Sequence, residues 1–318
     1  MKAVLINPDH TLNYCEIADP VLQAGYVIID VKAAGVNRAD LLQAAGKYPP
    51  PAGWPDYPGL ECAGVISAVN PDSRWKVGDK VCALLGGGGY AQKVLVPEGM
   101  VLPMPENTTF VEAAALPEVY TTAMLNLVVL GGLKANENVF IQAGASGLGI
   151  AAIQIAGKIG AKIITTVGSP EKAAAVRKIG ADVVIERKLQ AVDAVLREHS
   201  VDVALDCAGG ELLGKCLDAM NPGGRWILIA TLGGETTEIP LRTVLKKHLR
   251  IMGSTLRSRS DDEKSRILSQ LESLLWQDIA AGKIKPVIEQ TFALADAAEA
   301  HKVLAAQKNI GKVILVCD

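Results

Sequence analysis

The stretch from Asn138 to Lys172, NVFIQAGASGLGIAAIQIAGKIGAKIITTVGSPEK, constrains the fold more than any other part of this chain. Val139 to Ala143 is an apolar run of the length and composition of a strand buried on both faces. Gly144, Gly147 and Gly149 then permit a tight turn into an apolar helix, and a second strand comes next over Lys162 to Val167. Strand, glycine turn, helix and strand make half of a dinucleotide site, because the turn lets backbone approach a pyrophosphate and the helix start offers it free N–H groups. The spacing is GxxGxG rather than GxGxxG, and such turns often serve packing alone, so the inference rests on the flanking strand and helix.

The residues just past the second strand bear on which dinucleotide fits. An NAD site usually places Asp or Glu at that strand tip, to hold the ribose 2′-hydroxyl. Here the strand ends in Gly168, Ser169, Pro170, Glu171 and Lys172, with no acid at the tip itself. Ser169 and Lys172 offer a hydroxyl and a cation to a 2′-phosphate, a charge-assisted contact worth roughly 1.5–3 kcal/mol. The competing reading makes Ser169 an ordinary N-cap before Pro170 and Lys172 a solvated side chain. Glu171 complements the dipole of the helix it opens.

At 318 residues, 49% of them hydrophobic and 21% charged, the chain is long enough for two domains with substantial cores. A formal net charge of −2 and a pI near 6.1 give no electrostatic footprint for nucleic acid or an anionic membrane. The opening MKAVLINPDH lacks the long apolar core of a signal peptide, and no run of 18 uninterrupted apolar residues predicts a spanning helix. Six cysteines without a CxxC pair read as free thiols of a reducing compartment, which makes a cytoplasmic location the expectation. Residues 1–112 hold short strands punctuated by Gly and Pro, the pattern of a mostly antiparallel, barrel-like domain. Residues 113–254 alternate helices with apolar strands, which predicts a doubly wound parallel sheet. Residues 255–318 end in the strand KVILVCD, placed back in the first domain, so that the nucleotide domain is an insertion.

This order resembles the medium-chain dehydrogenase/reductase superfamily, an α/β architecture in which a GroES-like barrel domain carries an inserted Rossmann domain. AGVNRADLLQAAGKYPPPAGWPDYPGLECAGVI (34–66), LPEVYTTAMLNL (116–127), AGASGLG (143–149), GSTLRSRS (253–260) and NIGKVIL (309–315) resemble its NADPH:quinone oxidoreductase branch, most of all the p53-inducible quinone oxidoreductase group. Zinc-dependent relatives carry a catalytic cysteine where this chain has Asn37, and the histidine of a GHE segment where it has Leu60 in Gly59-Leu60-Glu61. A four-cysteine lobe is also missing, so the resemblance implies no metal. Without a Lewis acid the substrate is expected to be electron-poor, a quinone or an α,β-unsaturated carbonyl.

The resemblance also implies roles for single residues. Asn37 and Tyr48 would lie beside the nicotinamide, with Tyr48 the donor to the developing oxyanion; the alternatives are a loop amide bonded to backbone and an ordinary tyrosine before a rigid PPP turn. Ser146 would donate to phosphate or face substrate, and Thr122 would lie near the nicotinamide, each set against a simple turn or buried hydroxyl. Gly144, Ser146, Gly147, Leu148 and Gly149 would cradle the cofactor. Arg187 stands where many relatives place a tyrosine on the 2′-phosphate; a guanidinium serves that contact, and a surface arginine is the alternative. Leu232, Gly233, Leu256, Arg257 and Asn309 correspond to positions lining the nicotinamide end, while Arg259 and Lys312 read as surface charges. His10, His199, His248 and His301 fall in no triad or metal spacing. The expected activity is quinone reduction by NADPH, with enone double-bond reduction, or a structural or RNA-binding role, as alternatives. Homodimerisation through a Rossmann edge strand within RWILIATLGGETTEIP is expected by analogy.

Overall fold

A computed structural model describes residues 1–317. The chain divides into two compact units, Met1–Thr121 with Arg257–Asp318, and Thr122–Leu256. The first break therefore falls nine residues beyond the 112 expected from the sequence, inside a helical stretch that carries no Gly or Pro punctuation at residue 112.

The first unit begins with seven strands: β1 (Lys2–Ile6), β2 (Leu12–Glu16), β3 (Tyr26–Val36), β4 (Glu61–Val69), β5 (Lys80–Leu84), β6 (Lys93–Pro97) and β7 (Val101–Pro103). β2 is half-exposed and polar and β7 only three residues long, so neither stands out as a strand in the sequence. Helix α1 (Arg38–Ala44) comes after β3, and α2 (Phe110–Ala113) and α3 (Pro117–Ala123) close this part. Phe110–Leu130 is long and apolar enough to cross a membrane by composition, yet 72% of its most apolar window is buried inside the protein, as in a core helix.

The second unit opens on a π-helix, Met124–Leu130, and alternates β8 (Asn138–Ile141), α4 (Gly147–Ile159), β9 (Lys162–Val167), α5 (Pro170–Ile179), β10 (Val183–Glu186), α6 (Val192–His199), β11 (Val201–Asp206), α7 (Gly210–Cys216), β12 (Met220–Leu228), α8 (Leu241–Lys247) and β13 (Arg250–Gly253). All six strands are parallel, in the order β10-β9-β8-β11-β12-β13. β13 is thus one edge of the sheet and β12 lies one strand inside it, which corrects the sequence reading; the segment LRIMGS does not betray its edge position, because it is as apolar as the strand beside it. Phe140 and Trp226 meet at 6.0 Å between ring centroids in the core of one sheet face. Arg225 ties β12 to the end of the π-helix by donating to the Gly131 and Gly132 carbonyls and pairing with Glu137 at 2.8 Å.

The chain then returns to the first unit with α9 (Asp261–Ala280), β14 (Ile288–Ala293), α10 (Ala297–Ala305) and β15 (Lys312–Val316). Its seven-stranded sheet runs β14-β15-β3-β4-β5-β7, with β6 pairing β3. β15 lies antiparallel to β3, so the C-terminal strand is built into the sheet of the N-terminal residues, as the sequence pattern predicts.

Candidate active site

The glycine turn sits at the carboxyl end of β8. Ser146 caps α4, its Oγ accepting from the Gly149 N–H at 3.0 Å, and Gly147 and Leu148 occupy the first two helical positions, where no carbonyl of the helix itself can reach their N–H groups. Those groups and the helix dipole favour an anion. The glycines on either side have a different reason to lack Cβ atoms. A Cβ on Gly144 would overlap the Thr165 hydroxyl on β9, and one on Gly149 would overlap the Ala143 carbonyl. Close packing of turn, strand and helix therefore accounts for Gly144 and Gly149. Ala143, at φ +54°, is held in the left-handed region without glycine's freedom, a conformation that costs about 1–3 kcal/mol and gathers at functional turns.

At the tip of β9 the structure brings three of the expected residues together. Ser169 caps α5, accepting from the Lys172 N–H at 3.4 Å, with Pro170 in the first turn. β10 pairs with β9 in the register Glu186↔Val167, and Arg187 continues it with an N–H donated to the Val167 carbonyl. This lays the Arg187 guanidinium against Gly168, where a Cβ would stand 3.2 Å from it. Gly168, Ser169 and the Arg187 guanidinium thus meet at the carboxyl edge, with Lys172 in the first turn of α5.

In the other unit Asn37 belongs to a buried ionic cluster. Lys312, read from the sequence as a surface charge, is 4% exposed, because the Asn309-Ile310-Gly311 turn delivers it to the start of a buried strand. Its Nζ donates to Glu61 Oε1 and Asn37 Oδ1, both at 2.6 Å, and to the Val36 carbonyl at 3.0 Å. Asn37 Nδ2 donates to the same Glu61 oxygen at 2.9 Å and to the Gly35 carbonyl at 3.4 Å. Glu61 Oε2 accepts the Glu118 N–H in the first turn of α3, at 2.9 Å. A Cβ on Gly35 would collide with the Glu61 carboxylate, so this glycine makes room for the cluster. Both polar atoms of the Asn37 side chain are engaged inside the protein.

Next to it Asp40 is fully buried, accepting the N–H groups of Asn37 at 2.7 Å and Gly59 at 3.0 Å and the Tyr90 hydroxyl at 3.1 Å. His301 Nε2 lies 3.2 Å from the same hydroxyl. Burial pushes the Asp40 carboxyl up to about 6, against the pull of its hydrogen bonds, and burial holds the His301 imidazole down to about 4. Sequence reasoning missed Glu61, Asp40, Tyr90 and the burial of Lys312; a charge interrupting the apolar runs GLECAG and GKVILV was the available signal.

Tyr48 is half-buried, with the Arg257 guanidinium 5.0 Å from its ring centroid, and burial raises its phenol above the usual tyrosine value. Arg257 itself donates to the carbonyls of Gly86 and Tyr48 and to Gln43 Oε1, pinning the 43–57 loop. Asn309 donates to the Gly311 carbonyl at 2.7 Å. In the second unit Thr122 is half-buried with its carbonyl accepting from Asn126, Leu256 is buried, Leu232 is 55% exposed, and Gly233 donates its N–H to the Ala208 carbonyl. Arg259 pairs with Glu263 at 3.3 Å on α9, half-exposed as expected. Among the described residues no group of three His, Cys, Asp or Glu side chains has the arrangement of a metal site.

The buried groups make two measurable outcomes. Lys312→Met leaves Glu61 buried without its cation and is expected to lower unfolding free energy by about 3–5 kcal/mol in urea titration, with Lys312→Met/Glu61→Gln recovering more than half of the loss. Asp40 takes up a proton more readily folded than unfolded, so it favours stability at low pH and loses that contribution as pH rises from about 4 to about 6. His301 has the opposite sign over nearly the same window, since its depressed value makes stability rise with pH from about 4 to 6.5. The two slopes oppose each other. His301→Gln is expected to uncover the Asp40 slope, a fall of about 3 kcal/mol between pH 4 and 6, measured as urea midpoints across that range.

A family model described as the alcohol dehydrogenase GroES-like domain matches residues 23–106, and one described as zinc-binding dehydrogenase matches residues 147–273. Human quinone oxidoreductase is 33% identical over 308 residues, which cover 95% of this chain and 92% of that protein. The quinone oxidoreductase of Thermus thermophilus, a structure reported also in complex with NADPH, superposes with a TM-score of 0.85 at 28% identity, covering 99% of this chain and all of that one. A structure of an NAD-dependent alcohol dehydrogenase matches with the same TM-score and identity, over 99% of both chains. A GroES-like domain, an inserted Rossmann domain and relatives of this identity over nearly their full length place the chain in the medium-chain dehydrogenase/reductase family, among its quinone oxidoreductases.

Proposed function

We propose that this oxidoreductase uses NADPH to reduce an electron-poor quinone without zinc. The observation that carries the cofactor is the tip of β9, where the Arg187 guanidinium lies against Gly168, Lys172 stands in the first turn of α5, and the strand runs into Gly168 and Ser169 rather than into an acid. The site fits a dinucleotide: α4 presents the N–H groups of Gly147 and Leu148 to a pyrophosphate, and Ser169, Lys172 and Arg187 would hold a 2′-phosphate. NADPH, when bound, supplies a hydride.

The metal suggested by one matching family description does not fit the residues present. Asn37 is a poor ligand and both ends of its amide are engaged, while an ammonium, Lys312, already sits against the neighbouring carboxylate. The chain therefore relies on a substrate that needs no Lewis acid. A quinone qualifies, since hydride addition yields a delocalised hydroquinone anion that a proton completes. Tyr48 is the donor proposed for that oxygen: burial keeps its phenol protonated at neutral pH, and Arg257 against its ring fixes its orientation. The protein's remaining tasks are to orient the reactants and exclude water.

The exposed edge of the second unit favours a homodimer. β13 ends the sheet, and Leu241 and Leu245 on α8 are 76% and 75% exposed, with no buried residue on that helix. A cytoplasmic location accords with cysteines that form no disulfide among the described residues.

Steady-state NADPH oxidation with 1,2- and 1,4-quinones, set beside enones, tests the activity: quinones are expected to turn over fastest, and absence of turnover with every acceptor contradicts the reading. Lys172→Ala and Arg187→Ala are each expected to cut the preference for NADPH over NADH by about 10- to 100-fold, read as the ratio of dissociation constants. Leu241→Glu/Leu245→Glu is expected to convert a dimer to a monomer in sedimentation equilibrium; an unchanged mass places the interface elsewhere.

A further inference from the structure

One polar side chain of the second unit is buried without a partner at the place where its sheet opens. Gln142 comes directly after β8 and is 6% exposed, its backbone N–H donating to the Leu205 carbonyl at 3.1 Å. Ile141 pairs with Leu205 on β11 and with Thr165 on β9, so Gln142 stands level with Asp206 on one side and Thr166 on the other. From β8 the chain winds through β9 and β10 to one edge and then returns to β11 to wind towards the other. The β8–β11 boundary is therefore the switch point of the sheet, where parallel α/β folds bind ligands beyond the carboxyl ends of their strands.

The acceptors beside Gln142 are engaged elsewhere. Asp206 Oδ1 accepts the N–H groups of Ala208 and Gly209, and its Oδ2 accepts Trp226 Nε1, all at 2.8 Å. Thr166 Oγ1 accepts the Ala143 N–H at 3.1 Å. Gln142 Nε2 is left as a buried amide donor with no acceptor among the described residues. Buried donors are nearly always satisfied, because an unmade hydrogen bond inside a protein is destabilising, and exceptions gather where a ligand completes the site. The orphan lies two residues before Gly144 and five before Gly147, whose N–H opens α4.

We propose that Gln142 is a binding residue whose Nε2 donates to an acceptor oxygen of the phosphate–ribose chain of the bound dinucleotide. This rests on the nicotinamide-dinucleotide reading above and extends it to a residue two positions outside the glycine turn. Both NADPH and NADH carry that chain, so Gln142 contributes to affinity for the dinucleotide as such, whereas Lys172 and Arg187 decide between the two.

The test measures dissociation constants of NADPH, NADH and 2′-phospho-ADP-ribose by calorimetry, together with Tm with and without NADPH, for Gln142→Met and Gln142→Glu. Gln142→Met is expected to weaken all three ligands by about tenfold, to keep or raise the ligand-free Tm, and to shrink the NADPH-induced rise. Gln142→Glu, of the same shape but acceptor-only and anionic, is expected to weaken them further. Affinities within twofold of the native protein in either variant overturn the proposal. So does a ligand-free Tm that falls in Gln142→Met with affinity unchanged, which would mean that the amide is satisfied within the fold. If the native protein binds none of the three ligands, the dinucleotide reading fails with it, and the failure is visible before any variant is made.

Discussion

The ion pair between Lys312 and Glu61 holds together what the chain order separates. Lys312 arrives from the last strand, Glu61 opens β4, Asn37 caps α1 and the Glu118 N–H belongs to α3, so one carboxylate gathers four elements of the first unit. Charges this deep need full hydrogen bonding to be tolerated, and here each donor of the ammonium and each oxygen of the carboxylate has a partner. Lys312 lies against the Glu61 carboxylate and the Asn37 amide, and Asn37 is the position at which the sequence resemblance sets this chain apart from zinc-dependent relatives.

The second unit is organised by a different constraint, the need of a parallel sheet to satisfy backbone at its carboxyl edge. Asp206 and Thr166 do this from β11 and β9 by accepting loop N–H groups, and Ser146 and Ser169 do it as helix caps. The rest of that edge is anion-seeking: two N–H groups of α4 and the Arg187 guanidinium beside Gly168. Packing and binding are shared among the same few residues, since Gly144 and Gly149 are explained by contacts within the protein while the N–H groups of Gly147 and Leu148 face away from the helix start.

The sequence made this unit easier to read than the first. Its strands are apolar on both faces and its helices carry caps and glycine stops, so Lys162–Val167 was legible residue for residue, and Arg187 could be matched to a strand end. Periodicity says nothing about lateral order, however, which is why β12 was taken for an edge that β13 occupies. In the first unit the critical partners lie 24 to 275 positions apart, as between Asn37 and Glu61 or Lys312. A lysine beside a turn looks like a surface charge until the sheet brings β15 against β3. Asp40, Tyr90 and His301 were invisible for the same reason: each is ordinary locally, and their shared hydrogen bonds exist only in the fold.

The central claim is that a buried ammonium stands in place of a catalytic metal and that hydride passes from NADPH to a quinone without one. Exhaustive treatment with a zinc chelator, then metal analysis and quinone turnover on the same sample, tests it most directly. The account predicts turnover unchanged when zinc falls to about a hundredth of an equivalent, roughly a hundredfold below the stoichiometry a catalytic site needs. Loss of turnover on chelation, restored by one equivalent of zinc, would contradict it.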